Sequence, residues 1–282
     1  MTELAPATDA APDPAEAVGR TQSTKDPLDP WAANALAAAL DLPDRFAESD
    51  ALPPFWHWLY FREAAARADL GPDGHPARGR FLPATAEPRR MWAGGRLEFH
   101  AALPLGHAGT RRSTVADVSR KIGRSGPLTF ATVRHEIAGA LGPALTEEQD
   151  LVFRTDPPPD APPPAPEPAP GDETEARRWQ ADATLLFRYS ALSYNGHRIH
   201  YDAAYAREVE GYPGLVVHGP LLATLLLELV RGRPLRRFAF RARAPVFAGE
   251  PFEACVRELD AAADLWIRGG DGRLAMSALA EW

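Results

Sequence analysis

Cysteine is nearly absent from this chain: Cys255 is the only one in 282 residues, which excludes an intramolecular disulfide and any multi-cysteine metal site. A reducing, cytoplasmic setting is the default expectation. Basic charge is also in deficit, and a net charge of -7 argues against a nucleic-acid binder. No apolar run approaches the ~20 residues that a membrane-spanning helix needs, so no membrane partner is expected. The first residues lack both an apolar core and basic charge, unlike a secretory signal or an Arg-rich transit peptide. Residues 1–18 are expected to form a disordered lead. What the chain does have is 45% hydrophobic residues, enough for one large domain or two modest ones with real cores.

The most informative stretch is 187–230, FRYSALSYNGHRIHYDAAYAREVEGYPGLVVHGPLLATLLLELV. It places Asn195, His197, His200 and Asp202 on one short connection, followed by a His218-Gly219-Pro220 turn and a helix over 221–230 that is apolar on nearly every face. A helix without a polar face belongs inside a protein layer. Gly219 and Pro220 suit a helix start, where first-turn N–H groups lack intrahelical partners and can donate to developing negative charge. Asp202 suits the N-cap of a turn over 203–208, and His218 is expected to stabilise its own turn.

Ahead of this stretch, WAANALAAALDLP from Trp31 predicts a helix, with Asp29 or Pro30 at its start and Pro43 beyond its end. Pro53 and Pro54 predict a second helix that carries bulky residues through Phe61, includes His57 and stops at Gly71-Pro72. Trp56, Trp58 and Tyr60 read as core, with one aromatic edge lining a pocket. Residues 71–90, rich in Gly, Pro and small side chains, read as a long loop of the kind that shapes a pocket. Strand-like runs follow at 96–103, 112–122, 128–139 and 151–154 and suggest an antiparallel meander. Residues 156–176 are mostly Pro, Ala and acidic residues and read as a stiff linker. Beyond it, ATLLFRYSAL reads as a strand, and strand patterns return at 235–247, 252–259, 264–270 and 274–282, with Gly269-Gly-Asp-Gly272 as a hairpin turn.

The order A-L-S, a polar pair, x-H-x-I-H-x-D, then V-H-G and an apolar helix resembles the MaoC-type (R)-specific enoyl-thioester hydratases of the hotdog fold. The wording N-G-H-R-I-H-Y-D resembles the branch that contains 3-methylfumaryl-CoA (mesaconyl-C4-CoA) hydratase and the mitochondrial hydroxyacyl-thioester dehydratases. R-R-x-W-A-G-G-R-L-E-F, K-x-G-R-S-G-P-L-x-F-x-T-V-R-H-E-I and E-x-Q-D-L-V-F-R resemble the N-terminal half of the same branch, so the likeness runs from about Gly19 to the C-terminus. It implies an α+β double hotdog: a degenerate N-terminal hotdog at 19–155, the linker at 156–176, and a catalytic hotdog at 177–282. It also implies a hydro-lyase acting on a short enoyl-CoA, 3-methylfumaryl-CoA giving citramalyl-CoA. A hydroxyacyl-thioester dehydratase, or a silent acyl-thioester binder, is the alternative.

On the family motif His200 takes the histidine position and Gly219 the oxyanion-hole glycine. The family aspartate is replaced by Asn195, an amide that can orient water without taking its proton. His200 then has to serve as the base. Arg236, Arg241 and Arg243 belong to an arginine run suited to CoA phosphates. Lys121 and Arg124 are expected to meet a substrate carboxylate or the nucleotide, and His57 and His197 to contact substrate. His197, His200 and Asp202 also have the donor types of a metal site, but the resemblance implies no metal and no cofactor beyond the acyl-CoA substrate. A homodimer is compatible with all of this.

Overall fold

A computed structural model of the chain describes residues 13–123, 126–155 and 165–282. In chain order the elements are β1 (Thr21–Asp26), α1 (Pro30–Ala39), β2 (Arg89–Phe99), β3 (Gly109–Gly123), β4 (Gly126–Gly139) and β5 (Gly142–Arg154). There follow β6 (Glu175–Gln180), α2 (Ala183–Ser193), α3 (Ala203–Glu208), α4 (Gly219–Glu228), β7 (Arg237–Ala242), β8 (Pro251–Glu258), β9 (Ala262–Gly269) and β10 (Leu274–Glu281). The strands form one ten-stranded sheet in the order β1-β3-β4-β5-β2-β7-β10-β9-β8-β6. Every pairing is antiparallel.

The first five strands fill one side of this sheet and the last five the other, so β2 and β7 form the seam, with Gly95 opposite Phe240. Glycine is required there because a Cβ on Gly95 would lie 2.7 Å from the Glu148 carbonyl and 2.8 Å from the Phe240 ring. Helices α1 and α4 supply the buried faces that the sheet encloses. In α1, Asp29 accepts from the Trp31 N–H at 2.8 Å, Pro30 opens the helix, and Ala32, Ala33, Leu36 and Ala37 are buried. In α4, every residue from Pro220 to Glu228 is buried, as its uninterrupted apolar character dictates. Its terminal Glu228 pairs with Arg231 at 2.7 Å and accepts from Trp56 Nε1 at 3.1 Å, which ties the two sides together. The arrangement is the double hotdog that the sequence implied. No helix among the described residues is long and apolar enough to cross a membrane.

Two elements differ from the sequence reading. The helix expected after Pro53 is only a 3-10 turn, Trp56–Leu59, flanked by Phe55 and Phe61 at φ 73° and 56°. Tertiary capture outweighs helix propensity here. The Asp26 carboxylate takes the Phe61 N–H at 2.9 Å, while His57 and Trp58 both reach Glu147, at 3.0 and 2.8 Å. The run ATLLFRYSAL, read as a strand, is helix α2: Asp182 caps it by accepting from Leu185 N at 2.8 Å, and Leu186, Tyr189 and Ser190 bury at helical spacing. The strand on that side is β6, immediately before it.

Of the expected lead, residues 1–12 lie outside the described residues, and Pro14–Ala17 is a 3-10 turn with Pro14 and Ala17 buried. Of the expected linker, 156–164 lie outside them as well. The remainder is tied to the β9–β10 hairpin, with Ala169 N–H donating to the Gly272 carbonyl at 2.9 Å and Glu173 paired with Arg268.

Candidate active site

The connection between α2 and α4 is built from side-chain-to-backbone bonds. Helix α2 ends at Tyr194 in the left-handed region, φ 53°, and the Asn195 side-chain oxygen then accepts from the His197 N–H at 3.0 Å. A 3-10 turn, Arg198–His200, follows, and Asp202 both pairs with Arg198 at 2.7 Å and caps α3 through Tyr205 N at 3.0 Å. The strand-like approach to α4 is pinned to this turn by Val216 N donating to the Ile199 carbonyl at 3.0 Å.

That approach fixes the state of His200. Its Nδ1 lies 2.7 Å from the Val216 carbonyl, an atom that can only accept, so Nδ1 carries the proton and Nε2 holds the lone pair. Nε2 has no hydrogen-bond partner among the described residues. The His218 ring stacks on His200 with centroids 3.6 Å apart and an interplanar angle of 21°, and is itself anchored at 2.8 Å to Ser190. His218 thus holds the neighbouring ring as well as its own turn. Burial drives the His200 pKa down to about 4, with the Val216 bond opposing and the His75 charge assisting. Burial, then the charges of His75 and His200, takes His197 to about 2. All three rings of this cluster are neutral near pH 7.

A cavity of about 290 Å³ opens beside this cluster. Asn195, His197, His200 and Gly219 line it from the C-terminal side, and Arg90 and Trp92 from β2. Gly219 opens α4, and its N–H has no backbone acceptor among the described residues, as the first turn of a helix requires. A Cβ at Gly219 would fall 2.6 Å from Trp92 Cε3, and the indole is itself wedged 4.5 Å from the Phe240 ring. Gly219→Ala is therefore expected to displace the helix start, lowering kcat/KM by about 10–10²-fold and stability by about 1–3 kcal/mol. Steady-state rates and urea unfolding of the same preparation measure both effects.

Arg243 also lines this cavity, at an exposed position 3.7 Å from Glu167. Four other expected contacts are not brought to it. Arg236 and Arg241 are exposed beside the β2–β7 seam and line none of the cavities described: alternation turns Arg241, next to buried Phe240, away from the interior, and Arg236 precedes β7. Lys121 sits on β3, three strands from β2 in the sheet order, with its ammonium 5.1 Å from the Phe130 ring. His57 is buried against Glu147 and faces an adjoining cavity of about 490 Å³ instead. Arg124 lies outside the described residues.

The metal set considered from sequence does not form, since Asp202 is engaged by Arg198 and by the α3 N-terminus. Another trio does converge: Asp73, His75 and His197 offer ligand atoms within 4.8 Å of one another. The charge of Arg90 bears on both histidines, and a cation there would be repelled by it. Asp73 bonds His75 at 3.2 Å, and although burial raises its pKa, the His75 bond and charge prevail and hold it at about 2.

Sequence reasoning missed Arg90, Trp92 and His75. The first two stand in the R-R-x-W-A-G-G run, where the close backbone approach that the glycines permit was the available signal. His75 stands in the 71–90 loop and is its one contribution to this cavity ahead of β2; the loop mainly walls a neighbouring one, through Gly71, Pro72, Asp73, Pro76 and Ala77.

Comparison with known proteins bears on the family and the fold. Residues 55–248 match the family of hydroxyacyl-thioester dehydratases type 2. The chain is 45% identical over 268 residues to mesaconyl-C(4)-CoA hydratase of Chloroflexus aurantiacus, covering 94% of this chain and 96% of that one. Among solved structures, a MaoC-like dehydratase of Phytophthora capsici is similar with a TM-score of 0.70 at 15% identity, over 95% of this chain and 97% of that one. A Mycobacterium tuberculosis protein described as a double hotdog is similar at 0.57 and 14% identity, over 93% and 95%. The family match over most of the chain and the 45% identity along nearly its whole length show that the chain belongs to the hydroxyacyl-thioester dehydratase type 2 family of MaoC-like hotdog proteins.

Proposed function

We propose that the protein is a hydro-lyase that reversibly adds water across the α,β double bond of a short enoyl-CoA, converting 3-methylfumaryl-CoA (mesaconyl-C4-CoA) to citramalyl-CoA. The observation that carries this reading is one cavity holding both a neutral imidazole of fixed tautomer, His200, and an unpaired helix-start N–H, Gly219. The 45% identity to the Chloroflexus hydratase along nearly its full length supports the choice of substrate.

In the hydration direction the thioester carbonyl accepts from the Gly219 N–H. Asn195 holds a water near Nε2 of His200. That nitrogen takes a proton as the water oxygen bonds to the β carbon, and the π electrons move to the carbonyl oxygen as an enolate. The enolate collapses, and the proton on His200 passes to the α carbon. Water is the only other reactant and nothing is oxidised, so the chemistry requires no cofactor. Free Cys255 is buried, its thiol pushed up to about 11 by burial, and takes no part.

A second reading, a dehydratase for longer hydroxyacyl thioesters, is favoured by the family match and by the adjoining 490 Å³ cavity, which shares Trp58, His75, Arg90, Gln149 and Leu151 with the first. Values of kcat/KM on mesaconyl-C4-CoA and on enoyl-CoAs of increasing length separate the two. The short dicarboxylic substrate is expected to be preferred; a preference that rises with chain length supports the dehydratase.

A further inference from the structure

We propose that Arg90 is the specificity residue of this site, its guanidinium receiving the free carboxylate of a dicarboxylic acyl group. The assignment rests on the hydratase reading above and adds to it the group that reads the acyl end.

Arg90 and Trp92 lie two apart on β2 and share the face turned to the cavity. Arg90 stands where three cavities meet, and His75 is the other residue common to all three. The arginines near it are satisfied. Arg78 donates to Thr85 Oγ1 at 2.7 Å and to the Glu87 and Pro88 carbonyls, Arg89 lies 3.4 Å from the Glu210 carboxylate, and Arg243 has Glu167. The Arg90 side chain makes no hydrogen bond or ion pair among the described residues. Asp73 acts on it only through its charge and is spent on His75. Burial brings its pKa down to about 10, which still leaves it fully charged at neutral pH. Arg90 is half-buried and opens on these cavities, so a guanidinium with no partner among the described residues is presented there to whatever anion enters. The fork geometry of the group suits a carboxylate bound through both oxygens.

The chemistry of the substrate requires such a partner at this place. In 3-methylfumaryl-CoA the carboxylate is attached to the β carbon, the atom that takes the water oxygen. An ionised carboxylate there repels the incoming nucleophile, and a guanidinium on it removes that repulsion while fixing the β carbon toward His200. The CoA phosphates are not the group Arg90 meets. They lie a full pantetheine arm from a thioester held at Gly219, whereas Arg90 and Gly219 line the same small cavity.

The test compares wild type, Arg90→Met and Arg90→Lys on mesaconyl-C4-CoA and on crotonyl-CoA, which lacks the carboxylate. Inhibition constants are read in parallel for methylsuccinyl-CoA and butyryl-CoA, a saturated pair that binds without reacting. Arg90→Met is expected to lose about 10²-fold in kcat/KM on mesaconyl-C4-CoA and to bind methylsuccinyl-CoA correspondingly worse, with crotonyl-CoA and butyryl-CoA changed less than about 3-fold. Arg90→Lys, which keeps the charge and the fold, is expected to fall between wild type and Arg90→Met on the carboxylated pair alone. Equal losses on carboxylated and neutral compounds, or no loss on either, would overturn the assignment. Wild type that binds methylsuccinyl-CoA over butyryl-CoA but leaves mesaconyl-C4-CoA unchanged would sink the hydration reading while leaving the carboxylate receptor standing.

Discussion

His200→Ala is expected to lower kcat/KM on the preferred enoyl thioester by about 10³–10⁴-fold, the range spanned by loss of a positioned acid-base group. The magnitude follows from the absence of a substitute. Asn195 cannot take a proton, and His197 is held to a pKa of about 2 by burial and by two neighbouring rings. His218 is spent: its Nε2 is bonded to Ser190, and its pKa is lowered well below the usual value by burial and by His200 and His197. Because alanine also leaves the Val216 carbonyl without its donor, His200→Asn is the better control. Its amide N–H falls near where Nδ1–H stood and preserves that bond without supplying a base. Both variants are expected to fold, by circular dichroism and urea unfolding, and both to be inactive. Near-wild-type rates in either would remove His200 from the mechanism.

The second large effect is on stability against acid. His135, His197, His200 and His218 are all buried with lowered pKa values, the first and third at about 4 and the second at about 2, burial being the leading cause in each. In the unfolded chain the same rings titrate near 6.5, so below that pH the unfolded state binds more protons and stability falls as pH falls. Their contribution is complete above about pH 6.5 and drains away towards pH 4. Each ring removes about 1.4 kcal/mol per pH unit once the unfolded form is protonated. His135, His197 and His200 together cost on the order of 6 kcal/mol by pH 5, with His218 acting in the same direction, which is comparable with the whole stability of an ordinary domain. Asp73 and Glu147 act in the same direction but in a lower pH window. For each, burial raises the carboxyl, but paired histidines more than offset it and hold the pKa at about 2, so their stabilisation is lost only below about pH 4. Urea midpoints are therefore expected to be level above pH 7 and to drop steeply between pH 6.5 and 5. A flat profile across that interval would show that these rings are hydrated and charged, contrary to their enclosure.

Much of this was legible in the sequence, for identifiable reasons. The apolar run of α4, the Asp29-Pro30 start of α1 and the Asp202 cap each carry their signal within a few residues, and each formed as expected. So did the convergence of Asn195, His197, His200 and Gly219, which lie on one continuous connection. What escaped was set by distant partners. Residues 53–61 have the composition of a helix but are held in a turn by Asp26 and Glu147, carboxylates far away in the chain. α2 differs for the opposite reason: its cap, Asp182, lies right beside it, and the burial of Leu186, Tyr189 and Ser190 has helical spacing although Thr184, Phe187 and Tyr189 are strand-favouring residues. Surface arginines near the seam drew attention by their number, while Arg90 needed the β2–β7 pairing to show which face it occupies. Sequence shows that a charge exists; only the fold shows that it has no partner.

The most direct test of the central claim is to incubate purified protein with mesaconyl-C4-CoA in heavy-oxygen water and follow the product by mass spectrometry. The account predicts loss of the enoyl-thioester absorbance together with one solvent oxygen incorporated at the β carbon, and neither change with His200→Asn. An unaltered enoyl thioester in the presence of wild-type protein, or incorporation that persists in His200→Asn, would contradict it.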